Sequence, residues 1–367
     1  MYERRKILVV ASGDLRVEAN RVGWKFQKIM EEKLELILAE LGYKIERGHA
    51  YDHNKQHGFI DSQKMGIEVF KNLNPNLPII VAESVWQYTH HVLPGLMTHE
   101  GPILTLANWE GTSSGLVGML NLNGSLTKAE INYSTLWSKD FQDDFFREKL
   151  AEWLSSGSIK ADESHVFEYG SLEINEEIRI SAKAFALDFI SDKAIMGVFD
   201  EGCMGMFNAI VPDRLLNRLG IFKERLSQSA LYAEMLNVSL VEAQQVLDWL
   251  LGKGMSFNWG SNPESELTQE QTLEQCKMYI AVVRIADQFG CDTIGIQYQQ
   301  GLKDLVAASD LAEGLLNNTD RPPVWDRNGV ELFANSLIPH FNEVDECSGI
   351  DALITTRLWK ILGLPPE

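Results

Sequence analysis

Arg5-Lys6-Ile7-Leu8-Val9-Val10-Ala11-Ser12-Gly13-Asp14 is the stretch on which the fold turns. Its apolar run, Ile7–Ala11, does not alternate with polar residues and stops at a Ser-Gly-Asp loop. A continuous apolar run of this length is the pattern of a strand covered on both faces, as strands of parallel sheets are. Beyond the loop, apolar residues recur with a period near 3.6 through Trp24–Leu41, and Gly42 supplies a helix stop. Strand, loop and helix follow in the order of a βα unit.

The same alternation continues along the chain. Leu77–Ala82, Ile103–Ala107, Ala194–Phe199 and Thr293–Ile296 read as buried strands. Ile67–Leu73, Leu116–Leu122, Arg214–Leu219 and Leu273–Phe289 read as helices, and so does the stretch Val238–Leu251. The fold class is therefore α/β, with helices on both faces of parallel sheets. From Leu136 to Ile190 no convincing buried strand is legible, and a second strand series begins at Ala194. This places a domain boundary between about 160 and 192. The reading is a Rossmann-like domain over 1–165 and a second α/β domain over 166–367. Gly252 to Pro263 is a loop too mixed in composition for a domain linker. The last helix is read at Ile350–Leu362.

Composition narrows the partners. Lys plus Arg is 33 and Asp plus Glu is 52, so the net charge is −19. Such a surface repels phosphate backbones, and no nucleic-acid partner is expected. No apolar run reaches the roughly 18 residues of a membrane-spanning helix, so no membrane partner is expected. The apolar run near the N-terminus is also too short for a signal-peptide core. Cys203, Cys276, Cys291 and Cys347 are widely spaced and form no CxxC pair. They read as reduced thiols of a cytoplasmic protein.

The common nucleotide and hydrolase devices are missing. There is no GxGxxG after the first strand, no GxxxxGK[ST] and no GxSxG elbow. Ser113-Ser114-Gly115 opens a helix and is either an anion cradle or an ordinary N-cap. His49, His53 and His57 are spaced four apart, with Asp52 and Asp61 nearby. On a helix they would share a face and could hold a metal, but Gly48, Asn54 and Gly58 favour a loop. His90-His91 and His99-Glu100 flank Pro94-Gly95. Trp86, Tyr88 and His90 form either an aromatic wall for a sugar or a buried aromatic cluster.

Three further motifs lie at the site-forming ends of strands. Asp200-Glu201-Gly202-Cys203-Met204-Gly205-Met206 follows Ala194–Phe199. Gln297, Gln299 and Gln300 follow Thr293–Ile296, and strand alternation points Gln297 and Gln299 the same way. Glu343, Asp345 and Glu346 follow an apolar run around Leu337–Phe341. Carboxylates there can ligate a hard cation and take a proton from carbon, or serve as first-turn charges of the next helix.

In this order the motifs resemble the L-fucose isomerase family, relatives of the L-arabinose isomerases, over nearly the whole chain. The stretches that carry the resemblance begin with Asp14-Leu15-Arg16, Val81–Tyr88 with Trp86, and Asn108-Trp109-Glu110-Gly111-Thr112. Gly202–Arg214 comes next, then Gly295-Ile296-Gln297-Tyr298-Gln299 with Lys303-Asp304, and finally Asn342-Glu343-Val344-Asp345. Cys203 stands where the family usually has Ser, and an extra stretch, about Arg321–Pro339, precedes the Glu343 motif. The family's C-terminal domain, with a metal-binding histidine, would lie beyond Glu367. The chain therefore resembles the first two domains of such an enzyme.

The resemblance implies a metal-dependent aldose–ketose isomerase that moves a proton between C1 and C2 through a cis-enediol. Its cofactor would be manganese or another divalent cation, acting as a Lewis acid. By match, Glu343 is the candidate metal ligand and base, and Arg16, Trp86, Gln297 and Gln299 contact a small sugar substrate. A homo-oligomer is expected. Two other functions remain compatible with the residues: a non-catalytic sugar-binding or regulatory protein, and an aldol-type enzyme on this scaffold.

Overall fold

Nine strands and twelve α-helices, among the residues described, build two purely parallel sheets of five and four strands. The computed structural model describes residues 5–109, 111–202, 205–299 and 301–366. The fold is α/β, as the alternation of the sequence requires. The chain divides into two units. The first holds Met1–Tyr169 with Gly205–Asn208, and the second Gly170–Met204 with Ala209–Glu367. The division thus falls between 169 and 170, with a short return to the first unit that the sequence did not signal.

The first unit runs β1 (Arg5–Val10), α1 (Val17–Glu40), β2 (Tyr43–Arg47), α2 (Gln63–Asn72), β3 (Ile79–Glu83), α3 (Leu93–Leu96), β4 (Ile103–Asn108), α4 (Gly115–Lys128), β5 (Ser134–Ser138) and α5 (Asp144–Ser156). Strand order is β2-β1-β3-β4-β5, all parallel. This is a doubly wound sheet whose order reverses between β1 and β3, where such sheets open a crevice at the strand C-termini.

Two-sided burial explains the unbroken apolar strands. Ile7, Val9, Ile80, Ala82, Leu104 and Leu106 face one core. Their neighbours Leu8, Val10, Ile79, Val81 and Ile103 face the other. Helix α1 buries Gly23, Gln27, Met30, Leu34 and Ile37, a stripe at helical spacing. Helix α4 comes very close to the end of β3. A Cβ at Gly118 would stand 2.2 Å from the Val85 carbonyl oxygen, so only glycine admits this approach.

The second unit runs α6 (Glu176–Asp192), β6 (Ala194–Phe199), α7 (Asp213–Leu216), β7 (Ile221–Leu226), α8 (Gln228–Asn237), α9 (Leu240–Gly252), α10 (Gln269–Phe289), β8 (Thr293–Ile296), α11 (Asp310–Leu316), β9 (His340–Asn342) and α12 (Glu346–Leu362). Its order is β7-β6-β8-β9, again all parallel. One face is covered by α8 to α11, with Ile294 and Ile296 in that core. On the other face Met196, Val198 and Phe341 of the strands pack against Phe189 of α6 and Leu353 of α12.

Three strands escape a reading by apolar runs. β2 and β5 alternate in burial, and β7 is buried only at its two ends. β5 begins just before, and ends within, the stretch read as strandless. These three close the edges of the sheets, where one strand face or flank meets solvent and polar residues intervene. β9 spans only three residues.

Candidate functional site

In the second unit all four strands deliver polar residues to one edge of the sheet. β8 ends at Ile296, and the amide of Gln297 extends the ladder by donating to the Phe199 carbonyl at 3.1 Å. The Gln297 side chain is fully buried. Its Nε2 donates to the Gly202 carbonyl at 3.2 Å and to the Glu343 carbonyl at 3.5 Å, and its Oε1 accepts from Gln299 N at 2.9 Å. Gln297 therefore ties together the loops after β6, β8 and β9. Gln228, at the start of α8, adds the loop after β7. Its Nε2 donates to the Gln297 carbonyl, its Oε1 accepts from Leu302 N at 3.0 Å, and its own amide donates to Asp200 Oδ2 at 3.0 Å.

Gln299 is half-buried and turns its amide outward to Glu343, with Nε2 donating to Oε1 at 2.5 Å. Glu343 immediately follows β9. Its backbone and that of Val344 are both left-handed, at φ 51° and 60°, and Asp200 at the end of β6 has φ 61°. A β-branched residue in that region is a true outlier, and such strain costs roughly 1–3 kcal/mol per residue. The packing that imposes it fixes where the Glu343 carboxylate stands.

The three carboxylates of the Glu343 motif do three different things. Asp345 caps α12, its Oδ1 accepting from the amides of Cys347 at 3.1 Å and Ser348 at 3.4 Å. Glu346 is fully buried against Lys223 Nζ at 2.8 Å and accepts from Val211 N at 2.6 Å. Burial raises its carboxyl above the ordinary range, and the Lys223 hydrogen bond opposes that rise. Glu343 alone of the three joins the glutamines.

Behind them lies a buried acid the sequence did not flag. Glu313, on α11, accepts from the Ser309 hydroxyl, and its Oε2 is 3.8 Å from His340 Nδ1 on β9. Burial, then the negative charges of Asp310 and Glu343, push its carboxyl up to about 7. Burial likewise pushes His340 down to about 3. No motif announces Glu313. It looks like an ordinary first-turn charge of a short helix.

The other expected contact residues, Arg16 and Trp86, belong to the first unit. Asp14 Oδ1 accepts from Arg16 N and Nε at 2.9 and 3.0 Å, and Arg16 Nη2 reaches Oδ2 at 2.6 Å. Asn20 braces Asp14 through both backbone groups at 2.8 Å. Asp14, Arg16, Trp86, Thr112 and Ser113 line an open cavity of about 850 Å³ beside the ends of β1 and β3. Trp86 Nε1 and Ser113 Oγ are buried polar atoms with no hydrogen-bond partner among the described residues. Within the second unit the fold gathers Gln297, Gln299 and Glu343, and within the first it brings Arg16 and Trp86 to one cavity.

The histidine motifs resolve into structural roles. Residues 49–58 form turns rather than a helix. His49 Nε2 accepts from Ala11 N at 3.1 Å, and His57 Nδ1 accepts from Phe59 N at 3.2 Å. Desolvation first, then the Arg47 charge, hold His49 well below its ordinary value. His91 stacks on Tyr88 with ring centroids 5.6 Å apart, and burial pushes it down to about 4. His99 Nε2 pairs with the Leu77 carbonyl at 2.9 Å. Among the described residues no three His, Cys, Asp or Glu side chains are grouped as a metal shell. Glu343 offers one hard oxygen donor, so these residues do not by themselves make a manganese site. Glu110, Cys203, Met204 and Gln300, which the motifs include, lie outside the described residues. Among the described residues no helix is long and apolar enough to cross a membrane. No protein-family model and no curated protein matches the chain.

Proposed function

We propose that the chain works in aldose–ketose isomerisation of the L-fucose isomerase type, with Glu343 as the carboxylate that moves the proton. The observation that carries this reading is the Gln299–Glu343 pair at the C-terminal ends of β8 and β9. Substrate crevices of open parallel sheets form at that edge. A carboxylate there, held by one amide and by a strained backbone, is a positioned base rather than a mobile surface charge.

In this reading Glu343 accepts the proton from C2 of the open-chain aldose, which leaves a cis-enediol. O1 takes up a proton in that same step; returning the carbon-bound proton to C1 as O2 gives up its hydrogen completes the ketose with no net change in atoms. Gln299 steadies Glu343 and offers its amide to a sugar hydroxyl. Gln297, buried and bound on all sides by loop backbone, is a positioning residue. A divalent cation, manganese in the family resembled, would supply Lewis acidity at the sugar oxygens, with Glu343 as a candidate ligand. Arg16 and Trp86 are proposed sugar contacts, and a homo-oligomer in the cytoplasm is the proposed setting.

The test is ketose formation from a panel of pentoses and 6-deoxyhexoses, with and without added manganese. Turnover by the wild type and its loss, by about 10²-fold or more, in Glu343→Gln support the reading. Turnover that survives the substitution refutes the assignment of Glu343. Saturable sugar binding without turnover favours the sugar-binding alternative.

A further inference from the structure

The stretch from Arg321, extra to the isomerase-like pattern, is not used by the site above. It is nevertheless firmly built. Arg321 is buried and donates to Tyr279 Oη at 2.5 Å, to the Ser336 carbonyl at 3.1 Å, and to the carbonyls of Leu332 and Phe333 at 3.3 and 3.1 Å. Tyr279 Oη in turn donates to the Pro322 carbonyl at 2.5 Å. Trp325 pairs with Glu331 in an antiparallel bridge, and Leu332 N donates to the Val324 carbonyl at 2.8 Å. The result is a rigid hairpin laid beside α9 and α10.

Two cavities adjoin along this hairpin and share Glu242 and Arg284. One, of about 270 Å³, has apolar walls that include Trp249, Trp325, Pro322 and Pro323. The other, of about 680 Å³, presents Glu234, Glu242, Asp287 and Asp326 against Arg284 and Arg327. Four carboxylates against two guanidinium groups leave that cavity negative. Trp249 already receives a cation, since Lys253 Nζ sits 4.8 Å from its ring centroid. Arg284 and Asp287 lie in the last turns of α10, which leads into the start of β8. The groove is therefore at the sheet edge opposite Gln299 and Glu343.

We propose that this groove docks an extended basic peptide of a partner protein, with a proline or apolar anchor in the tryptophan–proline cavity and a Lys or Arg in the acidic one. Aromatic- and proline-walled grooves suit extended proline-containing chains, because little backbone freedom is lost on binding. The carboxylate excess selects the flanking charge. Two joined cavities of different polarity match a chain that passes through both, whereas a small ligand would use one. The proposal stands apart from the isomerase reading and does not depend on it.

Fluorescence anisotropy of the full chain with a labelled peptide of about a dozen residues, Pro-Pro-Leu flanked by two arginines, tests it. A second probe carries glutamates in place of the arginines. The arginine peptide should bind saturably and the glutamate peptide at least about tenfold more weakly. Trp325→Ala should weaken binding about tenfold or more, as loss of an aromatic anchor does. Asp287→Lys, at an exposed position where folding is not at stake, should weaken it severalfold and steepen discrimination by salt less. Absence of saturable binding, equal binding of the two peptides, or indifference to both substitutions overturns the proposal. A change of oligomeric mass in Trp325→Ala assigns the groove to a second copy and overturns it too.

Discussion

Replacing Glu313 by Gln should stabilise the protein at pH 8 and leave it nearly unchanged at pH 4.5. Glu313 is 8 % exposed, so solvent screens its charge little. Its carboxyl rises from 4.5 to about 7, chiefly through burial and then through Asp310 and Glu343. Below pH 4.5 it is protonated in the folded and unfolded chain alike and costs nothing. Between 4.5 and about 7 the unfolded chain ionises first, and folding stability falls as pH rises. Above that window the loss is constant, and the rise corresponds to about 3 kcal/mol. Glutamine keeps an oxygen that can accept from Ser309 and has no proton to lose. The variant should therefore gain up to about 3 kcal/mol over the wild type at pH 8. His91 and His340 titrate in both proteins, so their contribution at low pH cancels in the difference. Urea unfolding followed by circular dichroism at pH 4.5, 6 and 8 gives the comparison. Wild-type and variant stabilities that run parallel across this range would refute the reasoning.

Three further outcomes follow from the packing. Gln299→Ala should weaken sugar binding by about 1–3 kcal/mol if the amide that reaches Glu343 also holds a sugar hydroxyl, as proposed; an unchanged calorimetric dissociation constant excludes that role. Lys223→Met leaves the buried Glu346 carboxylate without its cation and should cost about 3–5 kcal/mol in chemical denaturation. A double variant with Glu346→Gln should recover part of this, and no recovery would mean the loss is not electrostatic. Gly66→Ala would set a Cβ 1.6 Å from the His91 carbonyl oxygen, so α2 must move away. A loss of about 3 kcal/mol in a thermal or urea melt is expected, and a neutral result would show that the contact between α2 and residues 89–91 can open freely.

The strands buried on both faces were legible because burial on both sides leaves an apolar run with no polar interruption. Ala194–Phe199 and Thr293–Ile296 coincide with β6 and β8 to the residue. β7 was not legible, because Lys223, Glu224 and Arg225 occupy its middle. The charges of Lys223 and Arg225 are met by Glu201, Asp213 and Glu346, partners up to more than a hundred positions away in the chain. No local pattern encodes such pairings. The candidate site was legible as far as strand ends could be read, which includes Gln297, Gln299 and Glu343. Their division of labour was not. Alternation aligned the two glutamines, yet one became an internal strut because Gly202 and the backbone of Glu343 happen to lie within its reach. Gln228 and Glu313 were invisible, since each sits in the first turn of a helix where a polar residue needs no further reason.

Residues 205–208 return to the first unit after α6 and β6 of the second have been laid down in the chain. Lys128 Nζ donates to the Phe207 carbonyl at 2.6 Å, and Ser125 Oγ to Asn208 Oδ1 at 3.1 Å. During synthesis, then, the first unit cannot close over its own α4 when residue 169 leaves the ribosome. It waits for about forty more residues, roughly 2–8 s at ordinary elongation rates. Through that interval α4 and the apolar surface beneath Phe207 stay open to chaperones, and β6 emerges before its sheet neighbours exist. Cutting the gene at the visible boundary would make that transient state permanent.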